Sequence, residues 1–285
     1  MKKELTPCTL AERSIIKKYR KEIWNNFVGA VKDYNLINSG DSIAVCISGG
    51  KDSVLLAKCM QQLAAHSEVP FTVKYIVMDP GYKKENIELL LSNLNKLNID
   101  ATVFNSDIFK AVTEAGGSPC YLCARMRRGA LYSKAKELGC NKIALGHHFD
   151  DAIETLLMSM MYASEIKTML PKLKSTNFEN MELIRPLYKV KERDIIAWAN
   201  YNNLKFLQCA CRFTEQSAEY EGLSKRKEIK NLIAEIRKTN PEADENIFRS
   251  MHNVNLGNMV GWRERDSGIL HGFNEMFDND FKLLP

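Results

Sequence analysis

The stretch Ser42-Ile-Ala-Val-Cys-Ile-Ser-Gly-Gly-Lys-Asp-Ser53 limits the folds open to this chain more than any other. Its first six residues are apolar or small and half are β-branched, which predicts a strand buried on both faces, as in a parallel sheet. The paired glycines let the chain turn sharply and bring backbone N–H groups against an anion. Ser53 opens a second apolar run, Val54 to Met60. That run predicts a helix whose positive N-terminal end points at the same spot. Strand, glycine turn and helix start together make a phosphate cradle. The Walker A pattern is absent, since it needs four residues between its glycines and a Lys-Ser/Thr pair after the second. A plain glycine turn is the competing explanation, but the composite pattern is far more restrictive than a lone Gly-Gly.

The remaining pattern alternates. Strands are expected at Phe71–Met78, Ala101–Phe104, Lys142–Gly146 and Glu182–Leu187. Helices are expected at Lys84–Leu97, Asp107–Ala115, Tyr121–Leu138, Asp150–Met161 and Glu192–Tyr201. This order predicts an α/β fold, a doubly wound parallel sheet that binds ligands outside the carboxyl ends of its strands. Ser48, Asp79 and His147 all fall at such ends.

Thr9-Leu-Ala-Glu12 has the form of a capping box. With Ile16, Tyr19, Ile23, Phe27 and Val31 at helical spacing, it predicts one amphipathic helix from residue 10 to about 35. Beyond Glu215 the texture is helical again, with an apolar stripe from Ile229 to Ile236 set among Lys225, Arg226, Lys227, Lys230, Arg237 and Lys238. Asn240-Pro241 closes that helix, Asp244 to Val254 reads as another, and the tail from Gly257 is partly extended. The expected organisation is an N-terminal helical region (1–38), a nucleotide-binding domain (39–215) and a C-terminal helical region with tail (216–285).

No run approaches the ~18 apolar residues needed to span a bilayer. Nor does an apolar core follow the basic start of Met1-Lys-Lys-Glu-Leu-Thr6. A cytoplasmic protein without a membrane partner is expected. The net charge of +5 permits a nucleic-acid partner without demanding one, so the placement of charge matters more than its sum.

Eight cysteines in such a chain are core thiols, metal ligands or redox groups rather than a disulfide framework. Cys120-Tyr-Leu-Cys123 opens a predicted helix, whose N-terminus favours thiolate. Cys209-Ala-Cys211 follows at the end of a predicted strand. Four cysteines suit a structural zinc site, three suit an iron–sulfur cluster with one open iron, and two suit a redox pair. Zinc and cluster rank equally on spacing. Cys46, Cys59 and Cys140 fit core packing.

Taken together, Ser48-Gly-Gly-Lys-Asp-Ser53 resembles the pyrophosphate loop of the ATP-pyrophosphatases, which cleave ATP between its α- and β-phosphates to adenylate a substrate. Cys120-Tyr-Leu-Cys-Ala-Arg-Met-Arg-Arg-Gly-Ala-Leu-Tyr132, Lys142-Ile-Ala-Leu-Gly-His-His-Phe-Asp-Asp151, Leu173 and Ile184-Arg-Pro-Leu187 extend the resemblance to the tRNA 2-thiocytidine synthetase family. The likeness runs from about residue 40 to 215, roughly three-fifths of the chain. It implies a Rossmann-like fold of the adenine nucleotide alpha hydrolase type with helical extensions at both ends. It also implies a 4Fe–4S cluster on Cys120, Cys123 and Cys209. The later site reads Gln208-Cys-Ala-Cys-Arg212 where the family pattern is Pro-Cys-x-x-Cys-Gly, so Cys211 is the alternative third ligand. A related family that thiolates the T-loop uridine carries zinc-ribbon cysteines at its ends. This chain has only Cys8 before residue 40 and none beyond Cys211, which argues against that branch.

The implied chemistry is an ATP-dependent tRNA thiolation. Ser48, Gly49, Gly50, Lys51, Asp52 and Ser53 would hold the phosphates with Mg²⁺, Asp79 would lie near the nucleoside, and Gly146 and His147 would lie near the α-phosphate. Asp52, Asp150, Asp151 and Arg128 would form the catalytic set, with Asp150 and Asp151 dividing helix capping from acid–base or Mg²⁺ work. Arg128, one turn from Arg125, would serve ATP or RNA through its planar fork. A pyrimidine carbonyl in the anticodon loop would attack the α-phosphate, and sulfur at the open iron would then displace AMP. The sulfur donor would be sulfide or a cysteine desulfurase persulfide, and a homodimer is compatible with the scheme. Two rivals are a sulfurtransferase or amidotransferase acting on a small molecule or another tRNA base, and a non-catalytic nucleotide- or metal-binding regulator.

Overall fold

β1 (Ser42–Ile47) forms where the apolar run predicts it, and every residue from Ile43 to Ile47 is buried. The structure, a computed structural model, describes residues 5–106, 108, 119–206 and 225–285, with backbone alone for 119–124. β2 (Thr72–Asp79) and β4 (Lys142–Ala144) flank β1 in parallel. β3 (Ala101–Asn105) lies beyond β2, and β6 (Glu182–Ile184) lies beyond β4, both again parallel. β5 (Lys172–Lys174) closes the far edge antiparallel to β6, giving the order β3-β2-β1-β4-β6-β5. The chain builds outward from β1 to β3 and then crosses back to β1's other side. That reversal opens a crevice at the carboxyl ends of β1 and β4, where such sheets bind ligands.

The helices fall where expected: α3 (Lys51–His66), α4 (Lys84–Lys96), α5 (Pro119–Glu137) and α6 (Phe149–Ala163) lie between strands of the sheet, and α7 (Glu192–Tyr201) follows its last strand. Alternation along the strands separates two cores. Ile43, Val45, Ile47, Ala144 and Ile184 join one cluster with α3, α7 and the N-terminal helix. Ala44, Cys46, Ile143 and Leu183 join Tyr132 and Ala135 of α5 in the other. The fold is the doubly wound sheet that the alternation predicts.

Several boundaries differ from expectation. The N-terminal helix begins at Pro7, capped by the Thr6 hydroxyl, which accepts from the Thr9 N–H at 3.2 Å. It comprises α1 (Pro7–Arg13) and α2 (Asn25–Asp33), joined by two π-helical turns, Ser14–Lys18 and Arg20–Trp24. These wider turns rotate the apolar stripe. Ile15 is therefore buried in place of Ile16, while Ile23 and Phe27 stay buried as predicted. α3 starts two residues before Ser53, at Lys51. β6 stops at Ile184, short of Pro186, which has no N–H for a ladder. β5 was not predicted, because Lys-Leu-Lys is too short to show a period. The helix expected at Asp107–Ala115 lies outside the described residues except for Ile108.

Met1–Leu232 forms one compact unit and Ile233–Pro285 a second. α8 (Lys225–Thr239) contributes residues to each. The second unit holds α9 (Ala243–Ser250), the hairpin β7 (Gly261–Arg263) and β8 (Leu270–Gly272), and α10 (Phe273–Asp278). Inside it Arg237 pairs with buried Asp244 at 2.8 Å, and Trp262 stacks on His271. Among the described residues no helix is long and apolar enough to cross a membrane.

Candidate active site

The loop after β1 is tied to α3 through Ser53. Its hydroxyl accepts the Ser48 N–H at 3.1 Å, donates to the Gly50 carbonyl at 3.0 Å, and lies 3.2 Å from the Ser48 hydroxyl. Gly49 adopts φ 85°, a left-handed conformation that favours glycine. Gly50 is the N-cap of α3 and has no side chain to engage the first-turn N–H groups, which leaves them for an anion.

The opposite wall comes from the end of β4. A Cβ on Gly146 would lie 3.0 Å from the Asp52 carbonyl carbon and the Ser53 nitrogen, so only glycine lets the two turns meet. His148 caps α6, and its N–H donates to Asp151 Oδ2 at 3.0 Å. Asp150 caps a different helix: its Oδ2 accepts the Glu192 N–H at 2.7 Å, at the start of α7.

Between these walls lies a cavity of about 430 Å³, within the range of ligand pockets. Ser48, Asp52, Ser53, Gly146, His147 and Asp151, all singled out in the sequence, are among the residues that line it. Gly49, Gly50 and Lys51 form the loop behind, and the Lys51 ammonium reaches two lining carboxylates, Asp52 at 3.2 Å and Glu192 at 3.0 Å. Asp79 accepts the N–H groups of Gly81 and Tyr82 at 2.8 and 2.7 Å, which holds Tyr82 in the wall. On α5, Arg127 lines the cavity, whereas Arg128 is exposed. Cys46 is buried, as are Cys59 and Cys140, but it also borders the cavity.

Cys120 and Cys123 sit in the first turn of α5, and their side chains lie outside the described residues. Cys209 and Cys211 lie wholly outside them. The backbone nevertheless shows that the Cys-x-x-Cys pair and Arg127 share one helix. Cys123 precedes Arg127 by four residues, about 6 Å along the axis.

The charges are closely coupled. Glu192 accepts from Lys51 through one oxygen and from Lys230 through the other, each at 3.0 Å. Burial opposes the Glu192 charge, but these two ammonium groups outweigh it and hold its pKa at about 2. Burial likewise opposes the Lys51 charge, and Asp52 and Glu192 overcome it, raising the pKa. Glu154 is pushed up to about 7 by burial, against the pull of Lys230 and Arg226. Arg226 Nε lies 3.0 Å from Glu154 and its Nη2 lies 3.4 Å from Asp151. Burial and the Arg185 guanidinium push His147 down to about 4, so its imidazole is neutral near pH 7. Its Nδ1 is buried without a hydrogen-bond partner among the described residues, a polar atom suited to a ligand. The carboxylates of Asp52 and Asp151 converge on His148 Nε2, at 3.9 and 3.5 Å.

Sequence reasoning missed Glu154 and Glu192 and left Arg226 and Lys230 as helix-face charges. Glu154 had one signal, a lone acid inside the apolar run of α6, three residues after Asp151.

Sheet order, crevice and loop define a PP-loop nucleotide-binding protein, and the PP-loop domain family matches residues 17–232. The tRNA-cytidine(32) 2-sulfurtransferase of Geobacter metallireducens is 36% identical over 84% of this chain and 91% of its own. That of Aliivibrio fischeri is 32% identical over 97% and 91%, and that of Neisseria meningitidis 34% over 93% and 86%. The chain belongs to the PP-loop family and, within it, to the tRNA-cytidine(32) 2-sulfurtransferases. Among solved structures, the U34-tRNA thiolase NcsA from Methanococcus maripaludis with its 4Fe–4S cluster shares the fold. It aligns at a TM-score of 0.67 and 22% identity, over 89% of this chain and 83% of its own.

Proposed function

We propose that this protein is an ATP-dependent tRNA sulfurtransferase that adenylates the 2-carbonyl of an anticodon-loop cytidine and replaces that oxygen with sulfur. The observation that carries the reading is the convergence of the Ser48–Ser53 loop, Asp52, His147 and Asp151 on one cavity at the β1/β4 crevice.

In this reading the first-turn N–H groups of α3 and Lys51 take the β- and γ-phosphates of ATP. Asp52 and Asp151, which converge on one imidazole, are oxygen donors of the kind Mg²⁺ requires. His147, neutral and with a buried nitrogen that has no partner among the described residues, orients the α-phosphate. The cytidine oxygen attacks the α-phosphorus and expels pyrophosphate. The ring carbonyl, a poor electrophile until then, now carries AMP as its leaving group. Attack by sulfur at C2 then releases AMP. Cys120 and Cys123, one helical turn apart, with Cys209 (or Cys211 in its place), have the chemistry to hold a 4Fe–4S cluster, which would present sulfur from its one open iron. The sulfur comes from sulfide, or from a cysteine desulfurase persulfide whose S–S bond a thiol reductant cleaves with two electrons, and a homodimer is compatible with the reaction.

Pyrophosphate and AMP release in the presence and absence of unmodified tRNA tests the reading. Release that requires tRNA is expected. Equal release without RNA points to a small-molecule substrate, and ATP binding without release points to a non-catalytic regulator.

A further inference from the structure

Arg226 and Lys230 stand on α8, one turn apart, and belong to none of the motifs around the loop. Both line the cavity, yet their side chains remain 44% and 43% exposed, so they can swing toward a ligand. Their present partners are carboxylates. Arg226 is held by Glu154 and Asp151, and Lys230 by Glu192 at 3.0 Å and Glu154 at 3.7 Å.

The arrangement at Glu192 is the informative one. Its two oxygens bridge Lys230 and Lys51, the lysine of the phosphate loop, at equal distances. A carboxylate clamped between two ammonium groups takes the place that two oxygens of a phosphate would take. We propose that Arg226 and Lys230 bind the pyrophosphate portion of the nucleotide, and that Glu192 is a placeholder anion holding Lys51 and Lys230 until the phosphates displace it. The inference rests on the nucleotide-binding reading of Ser48–Ser53 and adds ligands from outside that loop.

Three further observations agree. Arginine's planar fork suits phosphate oxygens, and Arg226 already spans two acids from two positions of α6. Glu154, 2% exposed, faces both cations and ionises with difficulty, so its hold on Arg226 is readily released. Among the described residues the lining contains four acids, Asp52, Asp151, Glu154 and Glu192, against three cations, Arg127, Arg226 and Lys230. A polyanion can enter such a lining only if some of those acids give up their cations.

Calorimetric titration of the full-length protein with magnesium pyrophosphate, ATP and AMP tests the proposal. R226A and K230A should each weaken pyrophosphate and ATP about tenfold or more, the scale of one lost charge-assisted hydrogen bond. AMP affinity should not change, which separates lost phosphate contacts from a damaged fold. R226K should recover part of the loss, and E192Q should tighten pyrophosphate by removing its competitor. Wild-type pyrophosphate affinity in both alanine variants would overturn the proposal, as would weaker pyrophosphate binding in E192Q. Loss of tRNA binding alone would assign α8 to RNA and overturn it as well. Failure of the wild-type protein to bind ATP or pyrophosphate would instead refute the underlying reading of the loop.

Discussion

Gly146 lies directly against Ser53: a methyl group on its Cα would stand 3.0 Å from the Ser53 nitrogen and 3.1 Å from its Cα. The end of β4 and the first turn of α3 thus meet backbone to backbone, and this contact sets the width of the crevice. G146A should lower stability by about 1–3 kcal/mol, the usual cost of overpacking. It should also weaken ATP binding more than tenfold, because the first turn of α3 must move. Denaturant unfolding and nucleotide titration measure the two effects, and an unchanged ATP affinity would show that the contact does not shape the site.

Ser53 ties the loop to its helix through its contacts with Ser48 and Gly50. S53A should cost about 1–2 kcal/mol, comparable to the loss of a helix cap. It should reduce ATP affinity while leaving affinity for tRNA unchanged. The same two titrations separate these outcomes.

Glu154 gives a pH signature. Its folded pKa, about 7, lies above its ordinary value of 4.5, so the folded state holds the proton more tightly than the unfolded chain. Stability from this group is complete below pH 4.5 and is lost as pH rises through 7. Relative to the wild type, E154Q should therefore gain stability across that window, by up to roughly 3 kcal/mol. Thermal unfolding of both proteins from pH 4 to 8 checks it, and parallel profiles would contradict the shift.

The cysteine assignment predicts which thiols hold iron. In anaerobically purified protein, C120S, C123S and C209S should lose iron and the broad visible absorption, while C211S should retain both. The opposite result for the last two would make Cys211 the third ligand. Zinc in place of iron would refute the cluster.

The parallel sheet and its crevice were legible because buried strands write continuous apolar runs, and because a glycine turn set between such a run and a helix start is a restrictive pattern. The loop, Gly146, His147 and Asp151 were legible for the same reason, as motifs at strand ends. Glu192 and Lys230 were not, since an ion pair across 38 residues leaves no local pattern in either segment. The two carboxylates of α6 show a finer limit. Adjacent in sequence, Asp150 and Asp151 cap different helices, and only Asp151 lines the cavity. The π-helical turns at Ser14–Trp24 were hidden as well, because side-chain spacing does not reveal a wider turn until its packing partners are known.

The most direct test of the account supplies the iron-reconstituted protein with ATP, Mg²⁺, sulfide and unmodified tRNA under anaerobic conditions, and digests the tRNA for nucleoside mass spectrometry. The account predicts a 2-thiocytidine that forms only when ATP is present and is absent with C120S. No thionucleoside from protein with an intact cluster, or sulfur on a base other than cytidine, would contradict it.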